Sequence, residues 1–202
     1  AIATLMGVRN NDQANGKKIT IESANAFDAS LFLDAESAMA RKYRGAGAIV
    51  VHPAIALALR KAQLLIPFTD PANLRTVDTF NGRTVIESTD GTKVGTTAAN
   101  TQYISYLVNT DAFAAESQAG YDDLEVERSA SRANGGGTNV LWTRRNMLIH
   151  PMGYSFVAAE STLTGGTANE AVSASWADLQ NGANWALTTD AEKVPFRIIV
   201  SK

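Results

Sequence analysis

The longest strand-like run of the chain covers residues 139–156, where apolar side chains occupy both alternating sets of positions. A second run, residues 123–129, alternates leucine and valine with glutamate, which is the pattern of a strand with one polar face. The glycine-rich stretch 134–138 separates the two runs. Since alternating runs on either side of a glycine-rich turn pair with each other, the pattern predicts a long antiparallel hairpin with a loose tip.

The charges of these two runs predict how they pair. A turn centred near Gly135 and Gly136 places Glu127 about opposite Arg144, and opposite charges at facing positions stabilise a strand pair. The hairpin is predicted to end at residues 150–154, HPMGY. Pro151 has no amide hydrogen to donate to the ladder, and the glycine that follows turns the chain.

The rest of the chain mixes short helices with short strands in no regular βαβ order, which predicts an α+β fold. Helices are predicted at residues 1–8 as the last turns of a helix that Gly7 closes, at 28–43 with Asp28 as N-cap, after Pro53, and as one turn near 176–179. Strands are predicted at residues 47–51, 83–88, 102–110 and 194–200, with a hairpin turn at Asp90-Gly91. Residues 10–16 are predicted to meander on the surface, and residues 161–175 to form a loop.

Composition narrows the class of protein. With 202 residues, 45% of them hydrophobic, the chain can bury a real core as one domain or two small lobes. It has no cysteine, so it forms neither a disulfide framework nor a thiolate zinc site, which suits a reducing cytoplasm. A net charge of −2 argues against wrapping nucleic acid, whose phosphates require clustered Lys and Arg.

The apolar runs are shorter than the roughly 18 residues that a membrane-spanning helix needs. The first residues also lack the basic segment that precedes the apolar part of a signal peptide. The sequence therefore predicts a soluble protein with no membrane association and no export signal.

The residues that usually carry chemistry are few. His52 and His150 each precede a proline, and a capping or turn role is commoner for such a histidine than a catalytic one. Neither has a second ligand at helical spacing, so no metal site is predicted. No Gly-x-Ser-x-Gly elbow is present, and Gly45-x-Gly47 follows a helix and precedes a strand, which is the reverse of a dinucleotide-binding loop. The sequence thus predicts no catalytic residue and no cofactor.

Three motifs, in this order, resemble the major capsid proteins of tailed phages and prophages with the Hong Kong 97 fold. The first is residues 49–53, IVVHP, followed by a short helix that ends KAQLLIP. The second is the acidic strand, the glycine-rich tip, the strand with Arg144 and Arg145, and then HPMGY. The third is Asn184-Trp185, which leads to the predicted strand 194–200. Together they cover nearly all of the chain.

The resemblance implies a Hong Kong 97-type α+β fold with a mixed central lobe and an elongated antiparallel sheet lobe that carries the long hairpin. Its implied segments are residues 1–27, the end of a spine helix with a surface connection (P-domain-like); 28–118, an A-domain-like central lobe; 119–160, a P-domain-like hairpin; and 161–202, a C-terminal loop with a returning strand. It also implies a C-terminal fragment that lacks the N-terminal arm, the extended loop and most of the spine helix.

The implied function is structural. The full-length protein would assemble into hexamers and pentamers and then into an icosahedral shell enclosing DNA, made in the bacterial host cytoplasm and located in the virion capsid. It would be neither an enzyme nor a sequence-specific nucleic-acid binder. Arginines at this place in the family lie where subunits meet, so Glu127, Trp142, Arg144 and Arg145 are the expected interface residues. The fragment alone is expected to be a monomer or a weak oligomer.

Two alternatives stay open from the sequence. One is an encapsulin-like compartment shell, which shares the fold, and the other is an α+β ligand-binding or enzymatic domain. The hairpin favours a shell, because two strands without a second layer are unstable alone and neighbouring subunits would support them.

Overall fold

A computed structural model of the chain describes residues 1–23, 27–45, 47–70, 75–95, 101–167 and 172–202. The α-helices are α1 (Ile2–Ala14), α2 (Ser30–Ser37), α3 (Pro53–Lys61) and α4 (Trp176–Gln180). The strands are β1 (Thr20–Glu22), β2 (Ala48–Val51), β3 (Ile66–Asp70), β4 (Arg75–Phe80), β5 (Arg83–Glu87), β6 (Lys93–Val94), β7 (Gln102–Val108), β8 (Phe113–Ser129), β9 (Thr138–Pro151), β10 (Tyr154–Phe156), β11 (Trp185–Leu187) and β12 (Phe196–Ser201).

The chain forms two compact units. The first contains Ala1–Phe113 and Pro151–Lys202, and is called the sheet unit here. The second, Ala114–His150, is called the hairpin unit. Helices and a large mixed sheet in one chain confirm the predicted α+β class.

An eight-stranded mixed sheet organises the sheet unit, in the order β1-β12-β7-β2-β5-β4-β3, with β6 also paired to β7. The pairs β1–β12 and β2–β5 are parallel, whereas β12–β7 and β2–β7 are antiparallel. Three of the four predicted segments, residues 1–27, 28–118 and 161–202, therefore contribute strands to one sheet. The domain-like names attached to these segments stay a prediction.

The strand β12 lies between β1 and β7, and all six of its residues are buried. Because side chains alternate along a strand, Phe196, Ile198 and Val200 enter one core and Ile199 enters another. The first core also contains Leu5, Val8, Ile19, Ile104, Tyr106, Ala112, Tyr154, Trp185 and Val194. The second contains Phe32, Ala35, Met39, Ile49, Val51, Ile55, Ala56, Leu59, Phe80, Val85 and Leu107. Helix α1 covers one face of the sheet, and α2 and α3 cover the other.

Helix α1 is longer than predicted, and the expected surface meander at residues 10–16 is wrong for residues 10–14, which belong to this helix. The Asn11 amide donates to the carbonyl oxygens of Gly182 and Trp185, at 2.9 and 2.5 Å. The Asp12 carboxylate accepts the backbone N–H groups of residues 18, 19 and 20 at the start of β1. These polar side chains are buried because distant backbone groups satisfy them.

Gly7 does not end helix α1, contrary to the prediction. A Cβ at this position would lie 2.0 Å from the Leu179 carbonyl oxygen and 2.4 Å from the Trp185 indole nitrogen. Glycine is needed here because another segment approaches the helix backbone closely.

Helix α2 ends at Ser37, before the predicted end at residue 43, and residues Arg41–Tyr43 form a separate 3₁₀ turn. Two arginines bind the carbonyl groups beyond the helix. Arg44 donates to Ser37 and Met39, and Arg197 donates to Ala38 at 2.7 Å. These side-chain donors replace the N–H groups that a continued helix would have supplied.

The predicted strands at 47–51, 83–88, 102–110 and 194–200 correspond to β2, β5, β7 and β12. The hairpin predicted at Asp90-Gly91 is wrong, because β6 pairs with β7 rather than with β5. The loop predicted at residues 161–175 includes residues 168–171, which lie outside the described part of the chain. The helical turn predicted near residues 176–179 is α4, which Ser175 and Asp178 cap reciprocally.

In the hairpin unit, β8 and β9 form a two-stranded sheet. Arg144 binds Glu125 and Trp142 binds Glu127, so the strands run antiparallel, as predicted. Glu127 contacts Trp142 rather than the predicted Arg144, which contacts Glu125 instead. Residues 133–135 all have positive φ and place the turn there. Strand β9 ends at Pro151, where the ladder was predicted to stop.

Candidate functional site

The hairpin unit carries the four residues that the sequence assigns to a subunit interface. Successive side chains of a strand point to opposite faces, so the contacts Glu125–Arg144 and Glu127–Trp142 define one face. The acidic face consists of Asp123, Glu125, Glu127, Val140, Trp142, Arg144 and Leu148. The basic face consists of Leu124, Val126, Arg128, Leu141, Thr143, Arg145 and Met147.

Three of the four expected interface residues lie on the acidic face and are joined to β8. Arg144 Nη2 lies 2.7 Å from Glu125 Oε2, and Trp142 Nε1 donates to Glu127 Oε2 at 3.0 Å. Both partners of the ion pair are about half exposed, so the pair contributes only about 0–1 kcal/mol. These contacts fix the orientation of the indole and guanidinium groups more than they stabilise the hairpin.

Arg145, the fourth expected residue, lies on the basic face with Arg128. Both side chains are exposed, and neither forms a hydrogen bond or an ion pair with any described residue. The structure therefore separates the adjacent arginines: Arg144 has a carboxylate partner within the hairpin, whereas Arg145 has none among these residues.

The apolar side chains of the basic face are more exposed than expected for a folded unit. The exposed fractions are 64% for Leu124, 66% for Val126, 59% for Leu141 and 69% for Met147. On the acidic face Leu148 and Trp142 are 62% and 48% exposed. Full burial of one such side chain stabilises a protein by about 1.5–3 kcal/mol. Clustered exposed apolar side chains with charged residues beside them are typical of a protein–protein contact.

The sequence analysis missed these apolar positions as interface residues. Their signal was present, because the run 139–156 is apolar on both alternating sets of positions, while a hairpin that packs on one side needs only one apolar face. The four charged and aromatic residues assigned from the sequence form part of a larger surface. Their role at a subunit interface stays a prediction.

The two histidines have different surroundings. His52 is the N-cap of α3, where its Nδ1 accepts the Ala54 N–H at 3.1 Å and Pro53 is the first helical residue. Burial lowers the pKa of the His52 imidazole, whose ring packs on Tyr103 at a centroid distance of 4.9 Å. This confirms the capping role predicted for His52. His150 is half-buried near the end of β9.

Gly45 and Gly47 do not form a phosphate-binding loop. A Cβ on Gly47 would lie 2.1 Å from the Val108 carbonyl oxygen, and Gly47 has φ of 107°. Its small size permits close packing of β2 against the end of β7, which is a structural role.

A cleft of about 490 Å³ in the sheet unit is a second candidate site. Its lining residues are Asn11, Asp12, Asn15, Lys18, Tyr154, Ala183, Trp185, Ala186 and Leu187. The Asp12 carboxylate is occupied by three backbone N–H groups, and burial raises the pKa of the Tyr154 phenol. The raised pKa keeps the Tyr154 phenol protonated near neutral pH. Across the described ranges, no group of three or more His, Asp or Glu residues is placed to hold a metal ion.

Within the described part of the chain, no helix has the length and apolar character required to cross a bilayer. Comparison of the sequence with protein-family models gives no match, and comparison with curated proteins gives none either.

Proposed function

We propose that this protein is a major capsid (coat) subunit that assembles into rings and then into an icosahedral phage or prophage shell enclosing DNA. Two observations support the proposal. The motifs around residues 49–67, 123–154 and 184–200 resemble those of Hong Kong 97-type capsid proteins, in the same order. The structure combines a mixed helix-and-sheet unit with a long hairpin unit.

The exposure of the hairpin is the observation that carries the proposal. A two-stranded sheet is at best marginally stable in water, and stable sheets pack a face against a second layer. In the hairpin unit, apolar side chains are exposed on both faces, including Leu124, Met147 and Leu148. A neighbouring subunit would supply the missing layer, and burying these side chains would stabilise the assembly and the hairpin together.

In this proposal the protein acts through its surfaces and is not an enzyme. Glu127, Trp142, Arg144 and Arg145 lie at contacts between subunits of hexamers and pentamers. The net charge of −2 fits a shell that encloses DNA without binding it specifically. The subunits are made in the bacterial cytoplasm and end in the virion capsid.

Electron microscopy of the product of the intact gene, expressed alone, tests the proposal. We expect rings or closed shells. A product that remains monomeric at high concentration would contradict a shell function. For the 202-residue chain by itself we expect a monomer in equilibrium with weak oligomers, measured by analytical ultracentrifugation. Complete shells formed by this chain alone would contradict that expectation.

A further inference from the structure

The cleft beside helix α1 lies along an open strand edge. Among the described strands, β11 pairs with β10 alone. The Asn11 amide donates to the Trp185 carbonyl oxygen at 2.5 Å, so helix α1 flanks the other edge of β11. Asn11, Trp185 and Leu187 all line the cleft of about 490 Å³. The cleft therefore follows the edge of β11 that no described strand occupies.

The β10–β11 ladder shows which backbone groups face this edge. Thr188 N–H donates to the Gly153 carbonyl oxygen at 3.0 Å. Antiparallel pairs alternate between hydrogen-bonded and non-hydrogen-bonded positions, so the next pair, Tyr154–Leu187, exchanges no backbone hydrogen bonds. The N–H and C=O groups of Leu187 therefore point away from β10 and toward the cleft, and no described residue binds them. Such free edge groups are the ones to which a further strand pairs.

The Tyr154 hydroxyl is another group of the cleft without a partner. Tyr154 is 2% exposed, and its hydroxyl, which is not fully enclosed, forms no hydrogen bond with any described residue. Burial, and then the charge of the Asp12 carboxylate, raises the pKa of this phenol, so the hydroxyl stays protonated and can donate. Because the Asp12 charge repels an anion at this position, an uncharged acceptor such as a peptide carbonyl oxygen fits best.

Lys18 supplies the unpaired charge of the cleft. Its side chain is exposed and forms no ion pair with any described residue. An adjoining cleft of about 550 Å³ shares Lys18 and Leu187 and continues along residues 189–193. There Lys193 is paired with Asp190 at 2.7 Å, and Glu192 is an exposed carboxylate that lines only this second cleft. A ligand seated at Leu187 thus meets the Lys18 ammonium as its available charged group.

We propose that this cleft binds an extended peptide segment of another protein, which adds to the free edge of β11 and carries an acidic side chain beside Lys18. One peptide residue exchanges backbone hydrogen bonds with Leu187, and a peptide carbonyl oxygen accepts the Tyr154 hydroxyl. Main-chain pairing of this kind provides affinity, and the side chains of the peptide provide specificity. The acidic strand of this chain, β8, is already paired with β9, so the peptide is assigned to a different protein. The site is independent of the proposed shell function.

NMR titration of the 202-residue chain with a capped peptide tests the site. The probe is acetyl-Thr-Val-Glu-Val-Thr-amide, and two matched peptides carry glutamine or lysine in place of the glutamate. We expect the glutamate peptide to bind with a Kd on the order of 0.1–1 mM, because it forms few hydrogen bonds. At saturation the Leu187 amide resonance should shift, and its hydrogen exchange should slow at least about threefold, since the N–H group is then bonded.

Two substitutions separate the parts of the site. Tyr154→Phe removes only the hydroxyl and should weaken binding of the glutamate and glutamine peptides alike, by about two- to tenfold. It should not lower the urea midpoint, because the hydroxyl has no partner among the described residues. Lys18→Gln should weaken binding of the glutamate peptide by about two- to fivefold and leave the glutamine peptide unchanged, because an exposed ion pair is weak. Lys61→Gln, an exposed cation on α3 across the sheet, is the matched control and should change neither.

Four outcomes would overturn the proposal. The first is that none of the peptides changes the Leu187 amide resonance at several times the expected Kd. The second is that the lysine peptide binds as tightly as the glutamate peptide. The third is that acetate alone reproduces the changes, which would make the cleft a site for small anions. The fourth is that the chain associates with itself and Tyr154→Phe abolishes this association, which would make a second copy the occupant. Near-ultraviolet circular dichroism checks that each variant is folded, and electron microscopy tests shell formation separately.

Discussion

The sheet unit and the hairpin unit use the same types of side chain in opposite ways. Strand β12 buries all six of its residues between two cores, each covered by helices. In the hairpin, the apolar side chains of both faces remain exposed. The sheet unit thus buries its apolar side chains within one chain, whereas the hairpin leaves many of its apolar side chains exposed.

Their arginines show the same difference. Arg197 in β12 is 1% exposed and donates to the carbonyl oxygens of Val194, Phe196, Ala38 and Ala191. Arg145 in the hairpin is exposed and has no partner among the described residues. A buried guanidinium that donates to several carbonyl groups holds segments together, while an exposed one without acceptors is available to a partner.

The largest expected effect is a loss of stability of the sheet unit when Arg197 is replaced. Arg197→Ala removes the guanidinium hydrogen bonds to four backbone carbonyl oxygens and a buried side chain, so the free energy of unfolding should fall by about 3–5 kcal/mol. Arg145→Ala is the matched control, with an expected change within about 0.5 kcal/mol. Urea unfolding followed by circular dichroism measures both. Equal changes in the free energy of unfolding for the two variants would mean that the buried hydrogen bonds of Arg197 do not stabilise this region.

Two leucines, one in each unit, allow the packing of the two units to be compared. Leu59 of α3 is fully buried in the core of the sheet unit, whereas Leu124 is 64% exposed on the hairpin. Leu59→Ala should lower the free energy of unfolding by about 2–5 kcal/mol, because it removes buried surface and leaves a cavity. Leu124→Ala should change it by about 0.5 kcal/mol or less. Urea unfolding of the two variants measures both changes. A large fall in the free energy of unfolding of dilute, monomeric Leu124→Ala would show that the Leu124 side chain is packed within the monomer.

The Asp178 carboxylate predicts a smaller, pH-dependent effect in the sheet unit. Hydrogen bonds from Ser175 and Thr164 hold the pKa of Asp178 at about 2. An unfolded aspartate has a pKa of about 3.9, so its stabilising effect is complete above that pH and is lost as the pH falls through about 2. Asp178→Asn should therefore be less stable than the original chain at neutral pH. The two unfolding curves should converge toward pH 2, and a constant difference across this range would rule out the carboxylate charge as the cause.

The smallest expected effect on folding comes from the hairpin itself. Trp142→Ala, or shortening of residues 134–138, should change the free energy of unfolding of the monomer by about 0.5 kcal/mol or less. Both changes should impair assembly of the intact-gene product more than folding, because the indole is about half exposed and lies at the expected interface. Electron microscopy and ultracentrifugation of each variant provide the measurement. Normal shells from Trp142→Ala would remove this residue from the interface.

Local pattern was enough to predict the strands β2, β5, β7 and β12, the hairpin, and the cap at His52. Each depends on residues near one another in sequence: an apolar run between turn residues, or a proline after a histidine. The contact of Glu127 with Trp142 instead of Arg144 was not predicted, because three consecutive residues of positive φ at 133–135, two of them not glycine, form the turn. A glycine-rich stretch does not show which of its positions forms the turn centre.

The errors occur where distant segments decide the structure. Residues 10–12 look like a surface turn, yet Asn11 binds carbonyl groups of residues 182 and 185. Likewise, Gly7 resembles a helix end, but its role is set by Leu179. Neither partner is visible in a local window of sequence. The four residues predicted for an interface are charged or aromatic, whereas the exposure of the apolar side chains beside them depends on packing, which the sequence does not show.

The position of β12 between β1 and β7 affects the order of events during synthesis. This strand follows every other described strand in the sequence, yet it lies inside the sheet, where it joins the edge strand β1 to β7. The ribosome must therefore release residues 196–201 before the sheet can close, and such long-range pairing is slow. The hairpin contains only local pairings and can form while the sheet is still incomplete. Neighbouring nascent chains on one polysome would then expose the apolar side chains of their hairpins before their cores have formed. Chaperone binding during this interval would protect them from aggregation.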